Sequence, residues 1–145
     1  MIDQECELPS RNATPDEVRG ILKSARRVAV VGHSDDPTRD SHRVGRYLAA
    51  HGYEVFAVNP NGRSTPSLRF YPDLASVPGP IDVVDIFRRN EFIPGIVEEA
   101  IRIGARVVWM QLGLAHNAAA DRAHAAGLRV VMNRCMMRDH TALGV

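Results

Sequence analysis

Short apolar runs alternate along the chain with segments in which apolar residues recur at helical spacing. Four helical segments begin near Thr14, Ser41, Asn90 and Asn117. Strands that alternate with helices of about ten to fourteen residues are typical of βαβ units and of a parallel sheet covered on both faces. The pattern predicts an α/β, doubly wound, Rossmann-like fold with a mainly parallel sheet of about five strands. The five apolar runs have the length of buried strands and occupy residues 28–31, 53–58, 81–87, 106–110 and 128–132.

Residues that favour helix starts stand at the beginning of each helical segment. Thr14 and Glu17, with Pro15 between them, predict a capping box. Ser41 is well placed to cap a helix that begins at His42. The later helices have candidate caps at Asn90 and Asn117, and the last three helices are predicted to end near Gly52, Gly104 and Gly127.

The 145 residues suit a single domain. We predict an N-terminal tail over residues 1–13 and the domain over 14–145. Residues 63–80 hold four prolines and no sustained period, so this stretch is predicted to be irregular, with a short strand over 68–71 and a helical turn over 72–77.

Polar residues or glycine follow every predicted buried strand. Parallel sheets bind ligands at the carboxyl ends of their strands, where the strand order reverses. Loops are polar in any case, so a single position decides nothing, but five at one edge favour a binding site. These positions are Gly32, Asn59, Arg88, Gln111 and Asn133.

The stretch after the first strand has the order of an anion site. Gly32 ends the strand, a polar loop follows, and a helix begins near Ser41. A helix start presents unpaired N–H groups and a partial positive charge. Arg39 and Arg43 flank that start and add full charges, so the sequence predicts that this loop binds a phosphate-bearing nucleotide.

The second strand indicates which nucleotide. The G-x-G-x-x-G pattern of dinucleotide sites is absent, because the glycine after Gly32 is Gly45. Enzymes that use NAD place Asp or Glu on the ribose hydroxyls at the end of the second strand, whereas this chain has Asn59 there and Arg63 close behind. An amide and a guanidinium can accept an additional phosphate. The leading candidates are NADP and coenzyme A.

Composition and charge narrow the functional classes. The net charge of +1 gives no support to a nucleic-acid surface, and no apolar run approaches the ~20 residues of a membrane span. The first residues lack the features of a secretory signal. Cys6 and Cys135 are far apart with no C-x-x-C pattern, and no histidine pattern predicts a metal site. A cytoplasmic location is the expectation.

Several segments together carry a resemblance to a known family. VAVVGHSDDPTRDSHRVGRYLAAHGYEVFAVNPNG, IDVVDIFRRNEFIPGIVEEAIRIGARVVWMQLG and VVMNRC follow one another in order. The chain resembles, over about residues 28–140, the small stand-alone CoA-binding-domain proteins. Their fold is similar to the CoA-binding domain of the succinyl-CoA synthetase alpha subunit. The resemblance implies a Rossmann-like domain that binds coenzyme A, free or acylated, along the strand ends.

The resemblance also implies roles for particular residues. The pyrophosphate would lie against Gly32, Ser34, Arg39, Ser41 and Val44. The adenosine and its 3′-phosphate would be bordered by Asn59, Pro60 and Arg63, with Phe87 and Arg88 packing against and bonding the nucleotide. The pantetheine arm would pass Gln111 and Gly113. Two positions depart from the family pattern, which commonly has a small or apolar residue in place of His33 and an acid in place of Asn133.

Catalysis is not favoured by the residues. The chain offers anion contacts but no evident set of acid, base and nucleophile, and G-x-S-x-G is broken because Asp36 stands where the second glycine belongs. Cys135 is read most simply as a small buried hydrophobe among methionines, and a mixed disulfide with the ligand is the sharper alternative. A small NADP-type oxidoreductase remains the alternative function. A homodimer or an unidentified protein partner stays open.

Overall fold

Strands and helices alternate in the order that the hydrophobic pattern predicts. The computed structural model describes residues 7–145, so Cys6 lies outside the described part. The strands are β1 (Arg27–Val31), β2 (Glu54–Val58), β3 (Phe70–Tyr71), β4 (Val83–Ile86), β5 (Val107–Met110) and β6 (Arg129–Val131). The α-helices are α1 (Pro15–Ser24), α2 (Asp40–Ala50), α3 (Ile93–Arg102), α4 (Asn117–Ala125) and α5 (Met136–Ala142).

The strands form one parallel sheet with the order β3-β2-β1-β4-β5-β6. The Rossmann-like, doubly wound fold is therefore confirmed, although the sheet has six strands where about five were expected. The sixth strand is β3, which lies within the short strand predicted over 68–71 and pairs with β2 at the edge of the sheet. The order reverses between β1 and β4, which is where folds of this type bind ligands.

Each face of the sheet is covered by its own helices. Val28 and Val30 of β1 pack with the apolar residues of α1, α2 and α5. Ala29 and Val31 point to the opposite face and pack with α3 and α4. This alternation follows from the two-residue period of a strand, and it explains why the strands read as continuous apolar runs.

The predicted capping box of α1 is confirmed. The Thr14 hydroxyl accepts from the Glu17 N–H at 3.2 Å, and the Glu17 carboxylate accepts from the Thr14 N–H at 2.9 Å. Val18, Ile21 and Leu22 recur at helical spacing along α1 and are buried. Helix α1 thus begins and packs as its sequence alone dictates.

The other three predicted caps are wrong, and in each case the side chain bonds to a group outside its own helix. Arg39, not Ser41, is the N-cap of α2, because the Ser41 hydroxyl accepts from the Ser34 N–H at 2.8 Å. Asn90 begins a 3₁₀ turn ahead of α3, and its Nδ2 donates to the carbonyl of Ala115.

Asn117 is the first residue of α4 and not its cap. Its amide oxygen accepts from the Ser10 N–H at 2.9 Å, while His116 caps the helix through Nδ1, which accepts from the Ala119 N–H at 3.1 Å. The segment before α1 also bonds to the chain just after β6. The Asn12 side chain donates to the Met132 carbonyl at 2.8 Å and accepts from the Met132 N–H at 2.9 Å. The Asn12 side chain therefore satisfies both backbone groups of Met132, the residue that follows β6.

No helix within residues 7–145 has both the length and the apolar character needed to cross a membrane.

Candidate functional site

Gly32 joins the tips of the three central strands. Its N–H donates to the Val58 carbonyl at 2.8 Å, and its φ of +88° is the left-handed region that favours glycine. A Cβ at this position would lie 2.7 Å from the carbonyl oxygen of Phe87. Only glycine therefore lets the backbone pass between β2 and β4 and enter the loop before α2.

The loop before α2 is braced by its own side chains. The Ser34 N–H bonds to Ser41, the Asp36 N–H donates to the Ser34 hydroxyl at 3.0 Å, and the Thr38 N–H donates to the Asp36 carboxylate at 2.9 Å. Asn59 supports the loop from β2, because its Nδ2 donates to the His33 carbonyl at 3.0 Å. These bonds within the protein set the shape of the loop. They involve three residues that were predicted to contact a ligand, Ser34, Ser41 and Asn59.

The start of α2 has no side-chain cap. Arg39 at the N-cap makes no capping hydrogen bond, and its side chain is exposed. Arg43, one turn later, forms an ion pair with Asp40. An uncapped helix start leaves backbone donors available to an acceptor from outside.

A cleft of about 540 Å³ lies beside α2 on the side of β2, and we call it the β2-side cleft. Its walls come from the loop after β1, from α2 and from the segment between β2 and β3. Basic groups stand around it, namely His42, Arg46 and Arg63, and Phe70 supplies an aromatic wall. Arg63, which was predicted to border the nucleotide, lines this cleft. Its backbone N–H donates to the Asp35 carboxylate at 3.0 Å.

His33 forms the inner wall of the β2-side cleft. Its ring meets the edges of His42 and Phe70, with centroid distances of 5.2 and 5.5 Å, and its Nδ1 lies 2.8 Å from the Ser34 carbonyl oxygen. Burial lowers the pKa of His33 below its ordinary value. Gly45 makes room for the ring, since a Cβ there would be 2.5 Å from His33 Nε2.

A narrower cleft of about 160 Å³ lies on the other side of the α2 start, and we call it the β4-side cleft. Val44, Phe87 and Gln111, all predicted site residues, line it together with Cys135. Gln111 is 7% exposed, and its buried Oε1 has no hydrogen-bond donor among the described residues. Asp40 and Arg43 stand at its α2 wall, so the start of α2 separates the two clefts.

The remaining predicted residues lie outside both clefts. The Arg88 guanidinium lies over the Phe92 ring, 4.1 Å from its centroid. The Gly113 N–H donates at 2.7 Å to Asn133, whose φ of +55° asparagine tolerates better than most residues. The predicted residues that line neither cleft are Gly32, Ser34, Arg39, Ser41, Asn59, Pro60, Arg88 and Gly113.

The sequence analysis did not identify three charged or titratable groups whose positions depend on packing, namely His42, Arg46 and Asp85. His42 and Arg46 reach the β2-side cleft from successive turns of α2, which a search of helix faces next to the loop could have found. Asp85 lies within β4, opposite Val30 and Trp109 in the sheet register. It is fully buried, neither carboxylate oxygen has a partner among the described residues, and burial raises the pKa of Asp85 to about 8. The sequence feature that could have identified Asp85 is an acidic residue within the apolar run over residues 81–87.

Comparison with known proteins identifies the family of this chain. The profile of the CoA binding domain family matches residues 26–141. Uncharacterized protein YneT of Bacillus subtilis is 37% identical over 130 residues, which are 90% of this chain and 96% of that protein.

Solved structures extend the comparison. A hypothetical protein from Pyrococcus horikoshii OT3 is 38% identical, with a TM-score of 0.88 over 100% of both chains. The apo form of acetyl-coenzyme A synthetase 1 from Ca. Korarchaeum cryptofilum is 25% identical, with a TM-score of 0.64, and the match covers 74% of this chain and 26% of that one. Because the family profile covers residues 26–141 and the likeness to YneT extends over almost the whole of both proteins, this chain belongs to the CoA-binding domain family.

Proposed function

We propose that this protein binds coenzyme A, free or acylated, across the start of α2 and catalyses no reaction of its own. The observation that carries the proposal is the position of the uncapped helix start between two clefts of different size and chemistry. The order of larger cleft, helix start and smaller cleft fits one kind of ligand. Such a ligand has a bulky phosphorylated nucleotide at one end, a diphosphate in the middle and a slender arm at the other end.

The nucleotide end is assigned to the β2-side cleft. Its volume of about 540 Å³ lies in the range of small-molecule sites. Arg46 and Arg63 carry permanent positive charge at its walls, and guanidinium groups bind phosphate through paired hydrogen bonds. Phe70 and His33 supply a buried aromatic wall against which a base can pack. These groups suit an adenosine that bears an additional phosphate.

The diphosphate is assigned to the start of α2. Backbone N–H groups at a helix start and the helix dipole both favour an anion. Arg39 at the N-cap supplies charge beside them, and the close passage of the backbone at Gly32 leaves no side chain in the way.

The pantetheine arm is assigned to the β4-side cleft. The arm is slender and carries two amide groups, so it needs a narrow channel and a few hydrogen-bond partners. Gln111 lines this cleft, and a rotation of its side chain would let the unpartnered Oε1 accept from one of the arm's N–H groups, while Val44 and Phe87 provide apolar contact. Such a bond would satisfy a buried acceptor that the protein itself leaves without a donor.

The absence of catalysis is proposed from the bonding of the nearest hydroxyls. Within the described residues, the Ser34 hydroxyl accepts from a backbone N–H and the Ser41 hydroxyl does the same, so neither is bonded to a histidine or a carboxylate that could activate it. The likeness to part of an acetyl-coenzyme A synthetase supports a nucleotide-binding role for the shared fold.

A ligand panel tests the proposal. Isothermal titration with coenzyme A, dephospho-coenzyme A and NADP should rank coenzyme A first. Arg63→Ala should weaken coenzyme A by roughly the 1.5–3 kcal/mol of a charge-assisted contact and should leave dephospho-coenzyme A nearly unchanged. The matched control is Arg19→Ala on α1, which lines neither cleft. Tightest binding of NADP would instead support the oxidoreductase alternative, and no binding of coenzyme A would overturn the proposal.

A further inference from the structure

Cys135 lies in the wall of the β4-side cleft, between the end of β6 and the start of α5. Its side chain is 6% exposed, and it is a free thiol. Phe87 lines the cleft from the tip of β4, and Gln111 lines it from the tip of β5. Cys135 thus belongs to the core cluster on this face of the sheet and also borders a cavity at the carboxyl ends of the strands.

A second observation indicates that this cavity is built for a ligand. The Oε1 of Gln111 is inaccessible to solvent and has no donor within the described part of the chain. A buried acceptor without a partner costs free energy, and native proteins rarely leave one unless a ligand or water completes it. Cys135 and Gln111, the residue that carries this acceptor, line the same cleft.

The order of the two clefts determines which part of the ligand would reach Cys135. This step rests on the proposed function, in which the diphosphate lies at the start of α2 and the pantetheine arm enters the β4-side cleft. The arm ends in a thiol. The cleft extends from Asp40 and Val44 of α2 to Met137 of α5, and Cys135 lies at its α5 end. The reacting end of the ligand is therefore directed toward the protein thiol.

We propose that Cys135 exchanges with the disulfide form of coenzyme A and holds one coenzyme A as a mixed disulfide. The Cys135 sulfur attacks one sulfur of the coenzyme A disulfide, a protein–ligand S–S bond forms, and the ligand's own S–S bond breaks. The second coenzyme A leaves as a thiolate and takes up the proton that Cys135 gives up, so the products are the mixed disulfide and one reduced coenzyme A. A dithiol reductant reverses the step.

Selectivity distinguishes this site from an ordinary thiol. A disulfide positioned by its nucleotide reacts in what is effectively an intramolecular step, which raises the rate over that of a free disulfide of equal chemistry. Glutathione disulfide has the same reacting bond but no nucleotide, so it reports the reactivity of the thiol alone. We expect coenzyme A disulfide to react on the order of tenfold faster or more.

The experiment is intact-mass measurement of the full chain, first reduced and desalted, during incubation with coenzyme A disulfide or with glutathione disulfide. Peptide mapping of the wild-type protein locates the adduct without the need for a variant. Cys135→Ser should abolish the adduct, and Cys6→Ser should leave it intact. Isothermal titration of reduced coenzyme A on the Cys135→Ser protein measures binding separately from exchange.

The outcomes separate the two proposals. A single coenzyme A adduct on Cys135, formed faster than the glutathione adduct and slowed by excess reduced coenzyme A, supports the inference. Three results would overturn the inference alone, provided that the protein binds reduced coenzyme A: no adduct, an adduct on Cys6, or equal rates for the two disulfides. Cys135 would then be only a buried apolar residue. Failure of both wild type and variant to bind reduced coenzyme A would overturn the proposed function itself.

Discussion

Asp85 lies at the centre of the sheet with a carboxyl that no described residue bonds. Burial disfavours its charged form and raises its pKa to about 8, so the carboxyl is largely protonated at neutral pH. An acid at this position costs the fold stability as the pH rises. Phe87, two residues further along the chain toward the strand tip, lines the β4-side cleft, so the carboxyl is buried beneath the proposed site.

Asp85→Asn should reduce the loss of stability at alkaline pH. Between the ordinary pKa of 3.8 and the folded pKa of about 8, the native state keeps the proton and the unfolded state releases it. The free energy of unfolding therefore falls with rising pH, by up to about 1.4 kcal/mol per pH unit from this group. Urea unfolding at pH values near 5 and near 8 should show a smaller decrease for Asp85→Asn than for wild type. An unchanged decrease would contradict the buried, protonated carboxyl, and Asp121→Asn on the exposed face of α4 is the control.

Arg39→Ala should weaken the binding of coenzyme A. Arg39 stands at the uncapped start of α2, where its guanidinium adds charge to the backbone donors. Loss of a charge-assisted contact costs about 1.5–3 kcal/mol, which is a rise in Kd of roughly tenfold or more. Isothermal titration measures the change, with Arg19→Ala as the control. An unaltered Kd would mean that Arg39 points to solvent and takes no part in binding.

At the scale of elements, α2 and the loop before it form one unit. Helix α2 packs Val44 and Leu48 against the sheet, while its opposite side lines the β2-side cleft through His42 and Arg46. The His33 ring is seated against Gly45, the helical position that leaves space for it. The loop conformation therefore depends on a small residue in the helix.

Gly45→Ala should fail to give the stability that an alanine usually adds to a helix. Gly20 on α1 is the matched control, because a Cβ there meets nothing within 4 Å. Gly20→Ala should stabilise the protein by about 0.5–1 kcal/mol. At Gly45 the added methyl meets the buried His33 ring, and overpacking costs about 1–3 kcal/mol.

Urea unfolding of the two variants checks this difference. The double substitution Gly45→Ala with His33→Ala removes the ring that the methyl meets, so the penalty of Gly45→Ala should be smaller in that background. Equal stabilisation by Gly45→Ala and Gly20→Ala would show that His33 moves aside at no cost.

At the scale of the whole molecule, the segment before α1 crosses to the far edge of the sheet. Asn12 makes two hydrogen bonds to the backbone of Met132, just after β6, and Asn117 receives the N–H of Ser10. Edge strands expose unpaired backbone groups that favour association with other chains. The segment thus satisfies groups at the β6 edge that would otherwise be open.

Asn12→Ala should destabilise the whole domain and not only the segment. It removes both bonds to Met132 and leaves a part-buried donor and acceptor without partners, at a cost of about 1–3 kcal/mol. The control is Asn61→Ala, whose side chain makes none of the described hydrogen bonds. Chemical denaturation followed by circular dichroism should show a lower midpoint for Asn12→Ala alone. Equal midpoints for the two variants would contradict a structural role for the segment.

The part of the fold that follows from local sequence was predictable. Apolar runs predicted five of the six strands, and the Thr14 capping box predicted the start of α1, because period and local hydrogen bonding need only neighbouring residues. The loop after Gly32 was predictable for the same reason. The resemblance of the ordered motifs correctly indicated the CoA-binding domain family.

Tertiary structure decided what depends on residues far apart in the chain. Asn90 and Asn117 have the chemistry of caps, but each bonds to a distant segment that folding brings close, while Ser41 bonds within the loop before α2. The sequence by itself determined the strands, most of the helices and the loop between Gly32 and α2, since those follow from local pattern. Only the packing of α2 and α5 on the sheet decided the two clefts, the burial of Asp85 and the position of Cys135 beside Gln111, because cavities and desolvation arise between elements and have no local signature.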